Sequence, residues 1–483
     1  MAEGVSTGAP PRIAIIGGGV GGLACAWRLS RLQPTAQITV LESSTAVGGT
    51  ARTQVADGLT LELGPDSLLR SKPAGMALVR ELGLESEVID TSPEARSSLI
   101  ARGQRLLPVP EGLYLLAPGR IWPFVWSRVI GWRGKLRMLR DLIIPPAALE
   151  DETLGSFVRR RLGQEALDRL AQPLVSGIYT ADPERLSLRA TMPQFLEMER
   201  THGSLLLAMR ARMRDPATAK ASGPRYSLFA SLRGGLGRLP TELAQRLSAA
   251  GVAIRCQATV TGVRREDGAW RIAVRDAEEV LADQVVVAGP AWLAAAVLRD
   301  VDASLSGLLA GIPYAGVATV NLVFRRDQVP VIPQAAGFVI PAVEGRAMIA
   351  CTFSSRKYPG RNPDDQVVLR AFVGGALHAH HLERDDQQLI ASVQADLRDL
   401  LRIEAAPLQV VVTRWPRAMA QYHLGHIERV AAIRAAEATH PGLALVGNGY
   451  EGVGIPDVIA QADAAARRLC EQERGSEGAQ ERG

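Results

Sequence analysis

Apolar residues fall into two patterns along this chain, short continuous blocks and longer stretches in which they recur every three or four positions. Ile13 to Ile16, Ile38 to Leu41, Gln284 to Ala288 and Leu443 to Val446 are blocks too short for helices, and they read as strands buried on both faces of a parallel sheet. Helical spacing follows the first block from Val20 to Leu32. It follows the last from about Pro456, with Ile459, Ala462, Ala466 and Leu469 on one face. Strand patterns at Val252 to Cys256, Ala258 to Val263 and Trp270 to Val274 predict an antiparallel layer before the returning strand at 284. Further runs at Val317 to Phe324, Met348 to Phe353 and Val367 to Gly374 predict a second sheet, with a helix from Asp386 to Leu401 over one face.

Other elements fill the gaps. Helices are predicted over Pro73 to Leu82, ended by Gly83, and over Pro240 to Ala249 after Gly234 and Gly235. Ser98 to Pro108 reads as two short strands around a turn at Arg102 and Gly103. Thr153 to Arg161 and Gln164 to Leu174 predict two more helices, followed by a loop-rich phrase, QPLVSGIYTADPERLSL, from Gln172 to Leu188. The pattern therefore predicts an α/β chain. Its first sheet is assembled from 1–90, 226–290 and 415–470, and its second from 91–109, 197–225 and 291–414. A helical region occupies 110–196, and the tail 471–483 is polar enough to be disordered.

Composition narrows the class. At 483 residues with 47% hydrophobic content the chain is long enough for two or three units around a large core. Mean hydropathy is +0.05. No run of 18 uninterrupted apolar residues occurs, so no membrane-crossing helix is expected. The opening MAEGVSTGAPP has neither a basic region nor an apolar core, which predicts no secretory signal and a cytoplasmic location. The net charge of +5 rests on 51 arginines and four lysines that are mostly dispersed, which argues against a nucleic-acid site. Four scattered cysteines and seven histidines have no disulfide or metal spacing.

One segment departs from this background. Gly112 to Arg140 has no acid, six basic residues (Arg120, Arg128, Arg133, Lys135, Arg137, Arg140), and Trp122, Phe124, Trp126 and Trp132 besides Tyr114. Tryptophan favours the boundary between lipid headgroups and hydrocarbon, and cations favour anionic lipid. The same residues also suit a helix that packs its aromatics on the protein's own core. Both readings stand on the residues alone.

The strongest chemical signal is at the start. The strand Ile13 to Ile16 enters Gly17, Gly18, Gly19, Val20, Gly21 and Gly22, in which 17, 19 and 22 have GxGxxG spacing, and the second strand ends in Glu42, twenty residues past Gly22. Glycines permit a tight turn and a close backbone approach to a pyrophosphate, the helix N-terminus faces the phosphates, and the acid accepts hydrogen bonds from a ribose. A second glycine pair follows in VGGTART, with Gly48, Gly49 and Arg52, and then the turn LELGPDS at 61–67. Near the C-terminus the loop GNGYEGVGIP enters the last helix, whose positive end suits a group that gathers negative charge.

The second glycine pair and the GPDS turn resemble the FAD-binding half of the amine oxidase, carotenoid desaturase and porphyrinogen oxidase superfamily. PLVSGIYTADPERLSL at 173–188, SLRGGLGRLP at 231–240, AQYHLGH at 420–426 and GNGYEGVGIPD at 447–457 extend the match to nearly the whole chain, and they resemble the oxygen-dependent protoporphyrinogen oxidases with their bacterial coproporphyrinogen-oxidising branch. The resemblance implies a Rossmann-like FAD domain, a mixed-sheet substrate domain and a helical region that contacts a membrane through 112–140. By position it implies FAD contacts at Gly17 to Gly22, Glu42, Arg52, Gly64, Pro65, Asp66, Ser67, Val260, Trp415, Asn448, Val453, Gly454 and Ile455, with the flavin bound non-covalently because Tyr450 and not a cysteine follows Gly449.

The reaction implied is a six-electron oxidation of protoporphyrinogen IX to protoporphyrin IX, by three transfers to FAD with oxygen as acceptor and peroxide released. Coproporphyrinogen III is the alternative substrate. No general base is picked out. Arg96 is the candidate for a substrate carboxylate, and an exposed structural arginine is its equal alternative. The resemblance further implies a protein peripheral to the inner face of a bacterial cell membrane, with a homodimer common in the family. Other readings are a carotenoid desaturase or amine oxidase, or a flavin-free lipid chaperone like the Rab GDP dissociation inhibitors.

Overall fold

The computed structural model describes residues 10–95, 97–110, 113–114, 117–118, 121–147, 149–214, 229–330 and 332–480. Its central element is a five-stranded parallel sheet in the order Ala253–Arg255, Gln37–Leu41, Arg12–Ile16, Gln284–Ala288, Leu443–Val446. The edge strand Ala253–Arg255, which the sequence pattern places in the antiparallel layer, instead pairs in parallel with Gln37–Leu41; the other four are the short apolar blocks of the sequence. They are apolar on both faces because helices Val20–Leu32, Arg238–Ala249 and Ile455–Gln480 cover one side, while the antiparallel layer Val260–Glu266, Ala269–Val274, Val280–Ala282 and the helix Ala291–Val297 cover the other. Strands distant in sequence thus meet in one sheet, and the loops after Ile16, Ala288 and Val446 all leave from its carboxyl edge.

A second sheet of seven strands has the order Gln409–Ala420, Tyr314–Arg325, Gln366–Gly374, Met348–Phe353, Gly337–Val339, Ser98–Arg102, Arg105–Pro108. It is antiparallel except where Gly337–Val339 runs parallel to Ser98–Arg102. Period-two alternation in Tyr314–Arg325 decides its two faces. Ala318, Val320, Leu322 and Phe324 pack on the helix Asp386–Leu401 through Leu389, Val393 and Leu397. Thr319 and Asn321 point the other way, toward the hairpin of Thr53–Ala56 and Leu59–Glu62, and donate to the carbonyls of Leu63 and Glu62.

The helical block is built on Leu154–Arg161, Gln164–Tyr179, Pro193–His202 and Leu205–Arg214. Arg161 lies at its centre, fully buried, with its Nε 2.7 Å from Glu199 and its Nη1 3.3 Å from Asp141, 2.8 Å from the Ile144 carbonyl and 2.9 Å from that of Gly203. Asp141 in turn accepts from Ser204 at 2.5 Å and from the Leu206 amide at 2.9 Å.

Three further expectations need correction. The helix predicted to end at Leu174 runs on to Tyr179 through a π-helical stretch Leu167–Ala171, so QPLVSGIY is helical and the loop starts at Thr180. The wide turn ends just before Pro173, whose missing N–H removes an α-helical bond. The division expected at 196/197 falls inside the helical block, because Leu205 and Met209 pack in the same core as Phe157 and Phe195. The tail after Cys470, expected to be disordered, continues the last helix to Gln480.

The described part of the segment 112–140, with its continuation to Ile143, has an inward and an outward face. Phe124, Val129, Ile130 and Met138 pack inward, whereas Trp126 is 75% exposed, and Trp132, Leu136, Leu139 and Ile143 are also exposed. Its cations divide likewise. Lys135 caps the carbonyls of Val125 and Ser127, and Arg137 caps those of Arg159 to Arg161, while Arg128, Arg133 and Arg140 face out. Residues 111–112, 115–116 and 119–120 of this stretch, with Arg120 among them, lie outside the described residues.

Candidate active site

The glycines of the first loop are required for different reasons. Gly17 has φ +109°, and a Cβ on it would lie 2.1 Å from the Ala288 carbonyl oxygen; one on Gly22 would lie 1.9 Å from the Gly17 oxygen. Both are demanded by the packing of helix on strand. A Cβ on Gly19 would meet nothing nearer than the Gly49 Cα at 3.9 Å, so the protein itself leaves that position roomy. The reason for glycine there lies outside the chain, in something that approaches the helix N-terminus. No acid in the first turn of Val20–Leu32 offsets the positive end, which suits a phosphate.

Glu42 stands where the fingerprint requires. Its Oε2 accepts from the Gly18 amide at 2.7 Å and its Oε1 from the Ser44 amide at 2.8 Å, which fixes the carboxylate while leaving further lone pairs for hydroxyl donors. Ala258 donates its amide to the Glu42 carbonyl at 2.8 Å, which brings Val260 to the same end of the site. The second glycine pair docks on the first through Gly48 N–H to the Gly18 carbonyl, 2.8 Å.

The turn at 62–67 is held by side chains from far along the chain. The Leu63 carbonyl accepts from Thr319 at 2.8 Å and from Trp415 Nε1 at 2.9 Å, the Gly64 carbonyl from Arg370 at 2.9 Å, and the Asp66 carbonyl from Ser231 at 2.7 Å. With its carbonyls used, what the turn can offer a ligand is backbone N–H. The Asp66 carboxylate is held within the protein, pairing with Lys357 Nζ at 2.9 Å and Arg370 at 2.8 Å. Burial opposes charge on Asp66, but Lys357, Arg370 and the Ser67 hydroxyl outweigh it and hold the carboxyl well below the usual range. Ser67 is likewise engaged, 2.6 Å from the Tyr358 hydroxyl.

Arg52 lies 5.9 Å from the Trp415 ring, and its buried Nε has no partner. That N–H is free to donate to an acceptor on a bound group. Asn448 is fixed by Ala418, whose carbonyl takes Nδ2 at 2.7 Å, and by the Tyr314 hydroxyl at 3.3 Å from Oδ1. Val453 packs on the helical core and Ile455 on that of the first sheet. The positive end of the last helix is not bare. Asp457 accepts from the Gly454 amide at 3.1 Å, and Lys72 Nζ, 2.6 Å from both its oxygens, offsets its charge.

Glu42 and Val260 thus mark one end, the glycines the middle, and Arg52, Gly64, Trp415 and Asn448 the other end of one tract along the sheet's carboxyl edge. Arg96 lies outside the described residues. A cavity of about 480 Å³ adjoins the far end, sharing Tyr314 and Trp415 with it and reaching Asp182, Arg185, Arg414 and His423. Arg414 is paired with Asp386, whereas Arg185 is exposed and makes no side-chain ion pair among the described residues. Sequence reasoning missed Thr319, Asn321, Lys357, Arg370 and Arg185. Only the polar pair at 319 and 321 in an otherwise apolar strand carried a signal.

A two-sheet chain with a dinucleotide cradle at the carboxyl edge of its parallel sheet, built from Gly17 to Gly22, Glu42 and Arg52, has the architecture of a flavin-dependent oxidoreductase. The model of the flavin containing amine oxidoreductases matches residues 20–470, and the chain belongs to that family, in its porphyrinogen oxidase branch. It is 34% identical to the coproporphyrinogen III oxidase of Bacillus subtilis over 94% of this chain and 96% of that protein, and 30% identical to the protoporphyrinogen oxidase of Bos taurus over 96% and 99%. A solved structure from Exiguobacterium superposes with a TM-score of 0.85 at 30% identity, over 97% of this chain and all of that one.

Proposed function

We propose that this enzyme oxidises protoporphyrinogen IX to protoporphyrin IX with oxygen. The observation that carries the reading is the cavity beside Trp415 and Tyr314, at the end of the tract where Asn448 and Ile455 would meet the isoalloxazine. Its volume is within the range of small-molecule sites, roughly 300–1,000 Å³. FAD when bound accepts electrons from the substrate and hands them to oxygen. The chain's own part is to hold the cofactor through Gly17 to Gly22, Glu42, Arg52, the 64–67 turn, Val260, Trp415, Asn448 and Val453 to Ile455, to keep water from the reacting face, and to orient the macrocycle. Asp66 and Ser67 contribute through their backbone, since their side chains are already paired. The test is stoichiometric: three molecules of peroxide for each porphyrin formed support the reading, and porphyrin without peroxide contradicts it.

A propionate needs a cation at the cavity, and Arg185 lies on its wall without a side-chain ion pair among the described residues, with Asp182 and Glu383 on the same wall. Arg185→Met is expected to raise KM roughly tenfold or more with kcat little changed, since it removes binding that ground and transition states share. A lowered kcat at constant KM would remove Arg185 from this role. A second substrate reading, coproporphyrinogen III, is favoured by identity: relatives named for that substrate match at 32–34%, those named for protoporphyrinogen at 28–31%.

The outward face of the helical block is our proposed contact with a membrane. Trp126, Trp132, Leu136, Leu139 and Ile143 would enter the interface, and Arg128, Arg133 and Arg140 would face anionic headgroups. Among the described residues no helix is long and apolar enough to cross a membrane. Vesicles with anionic lipid should bind the protein, and Trp126→Ser with Ile143→Ser should release most of it; unchanged sedimentation of the double variant with vesicles would refute the contact.

A further inference from the structure

The segment Gln421–His426 has no part in the tract described above, yet its side chains converge on the backbone of the loop 448–452. The Tyr422 hydroxyl accepts from the Gly452 amide at 2.9 Å and donates to the Asn448 carbonyl at 2.8 Å. Those two backbone groups are four residues apart, the spacing at which N–H and C=O would otherwise close on each other in an α-turn. The hydroxyl is inserted between them. It keeps the turn open by the width of one oxygen.

The hydroxyl is itself braced. The His426 ring stacks on Tyr422 with centroids 3.8 Å apart and planes at 13°, and its Nε2 lies 3.0 Å from the Tyr450 carbonyl, inside the same loop. Burial lowers the His426 pKa and raises that of the Tyr422 phenol, so at neutral pH the imidazole is neutral, with its Nε2–H donating, and the phenol keeps its proton. On the other side the segment is tied to the helical block. The Ser187 amide donates to the Tyr422 carbonyl at 2.8 Å and Gln421 Nε2 to the Tyr179 carbonyl at 3.0 Å. Gly452 is seated so closely on the last helix that a Cβ there would lie 2.4 Å from the Asp457 carboxyl carbon, so movement of Gly452 carries Val453 to Ile455 with it.

We propose that Tyr422 is a positioning residue for the flavin, holding the 448–452 turn open so that Val453 to Ile455 and the end of the last helix keep a fixed distance from the ring. This rests on the reading of Asn448 to Ile455 as the flavin-facing loop. A change in that distance alters reduced flavin, which carries more negative charge, differently from oxidised flavin.

The experiment is reductive titration of the FAD-loaded enzyme against a reference dye, on wild type, Tyr422→Phe, His426→Gln and Asn448→Ala. Tyr422→Phe keeps the ring and its stack but lets the turn close. FAD should remain bound, while the ratio of affinities for oxidised and reduced flavin changes roughly tenfold, a shift of about 30 mV for a two-electron couple, with altered visible bands. His426→Gln, which keeps the hydroxyl and removes its brace, should shift the potential less and in the same direction. An unchanged potential in Tyr422→Phe beside a shifted one in Asn448→Ala would overturn the role of Tyr422 and leave the loop reading intact. Unchanged potentials in both would overturn the loop reading as well.

Discussion

Gly22→Val gives a colourless protein. Its Cβ falls 1.9 Å from the Gly17 oxygen and 3.2 Å from the Ala288 Cβ, so the helix Val20–Leu32 has to move off the first strand, and the N-terminal amides move with it. Overpacking against side chains costs about 1–3 kcal/mol. Here the obstacle is backbone, and a loss of at least about 3 kcal/mol corresponds to more than a hundredfold in FAD affinity. The measurement is the ratio of flavin to protein absorbance after gel filtration. Gly19→Ala is the informative companion, because the protein has room for that methyl group. It should fold with unchanged thermal stability and still lose FAD. Full flavin content in Gly19→Ala would mean that nothing approaches the helix end closely, which would remove the pyrophosphate from this loop.

Arg161→Met should unfold the helical block. The guanidinium is fully buried, and it ties Glu199 and the Gly203 carbonyl, at the end of the helix Pro193–His202, to Asp141 and the Ile144 carbonyl of the stretch 139–144. Removing it leaves two buried carboxylates with fewer partners, and breaking a buried pair in this way costs about 3–5 kcal/mol. Arg160 remains beside Glu199 at 2.6 Å and offsets part of the loss, whereas Asp141 keeps only Ser204 and the Leu206 amide. Thermal melting followed by circular dichroism reads the effect as a clear fall in Tm or as a separate early transition. The triple change Arg161→Met, Glu199→Gln, Asp141→Asn should recover part of the loss, since no charge is then stranded. A single variant as stable as wild type would show that this hub does not hold the block together.

What the sequence makes legible here is what local periodicity and short motifs encode. The strands of the first sheet and the helix Asp386–Leu401 fall within a residue of their predicted limits because each is a clean apolar block or a clean amphipathic run. The continuation to Tyr179 was hidden by Pro173, which reads as a breaker when the chain is scanned locally and is tolerated because a π turn precedes it. The helical tail was hidden by its polarity. The cofactor tract was legible in its glycines and in Glu42. Its supports were not, since Thr319, Arg370 and Lys357 reach the 62–67 turn across more than 250 positions and only the folded sheet brings them there. The carboxylate of Asp66 is another such case, since its pairing with Lys357 and Arg370 is set by the folded sheet and by no local pattern.

The central claim, that this flavin enzyme acts on a porphyrinogen, is tested most directly by porphyrin fluorescence. The purified, FAD-loaded protein would be offered protoporphyrinogen IX and coproporphyrinogen III in parallel, in air and under argon. The account predicts fluorescence that rises only in air and faster with one of the two, which also names the substrate. A yellow protein that produces no porphyrin from either would contradict it.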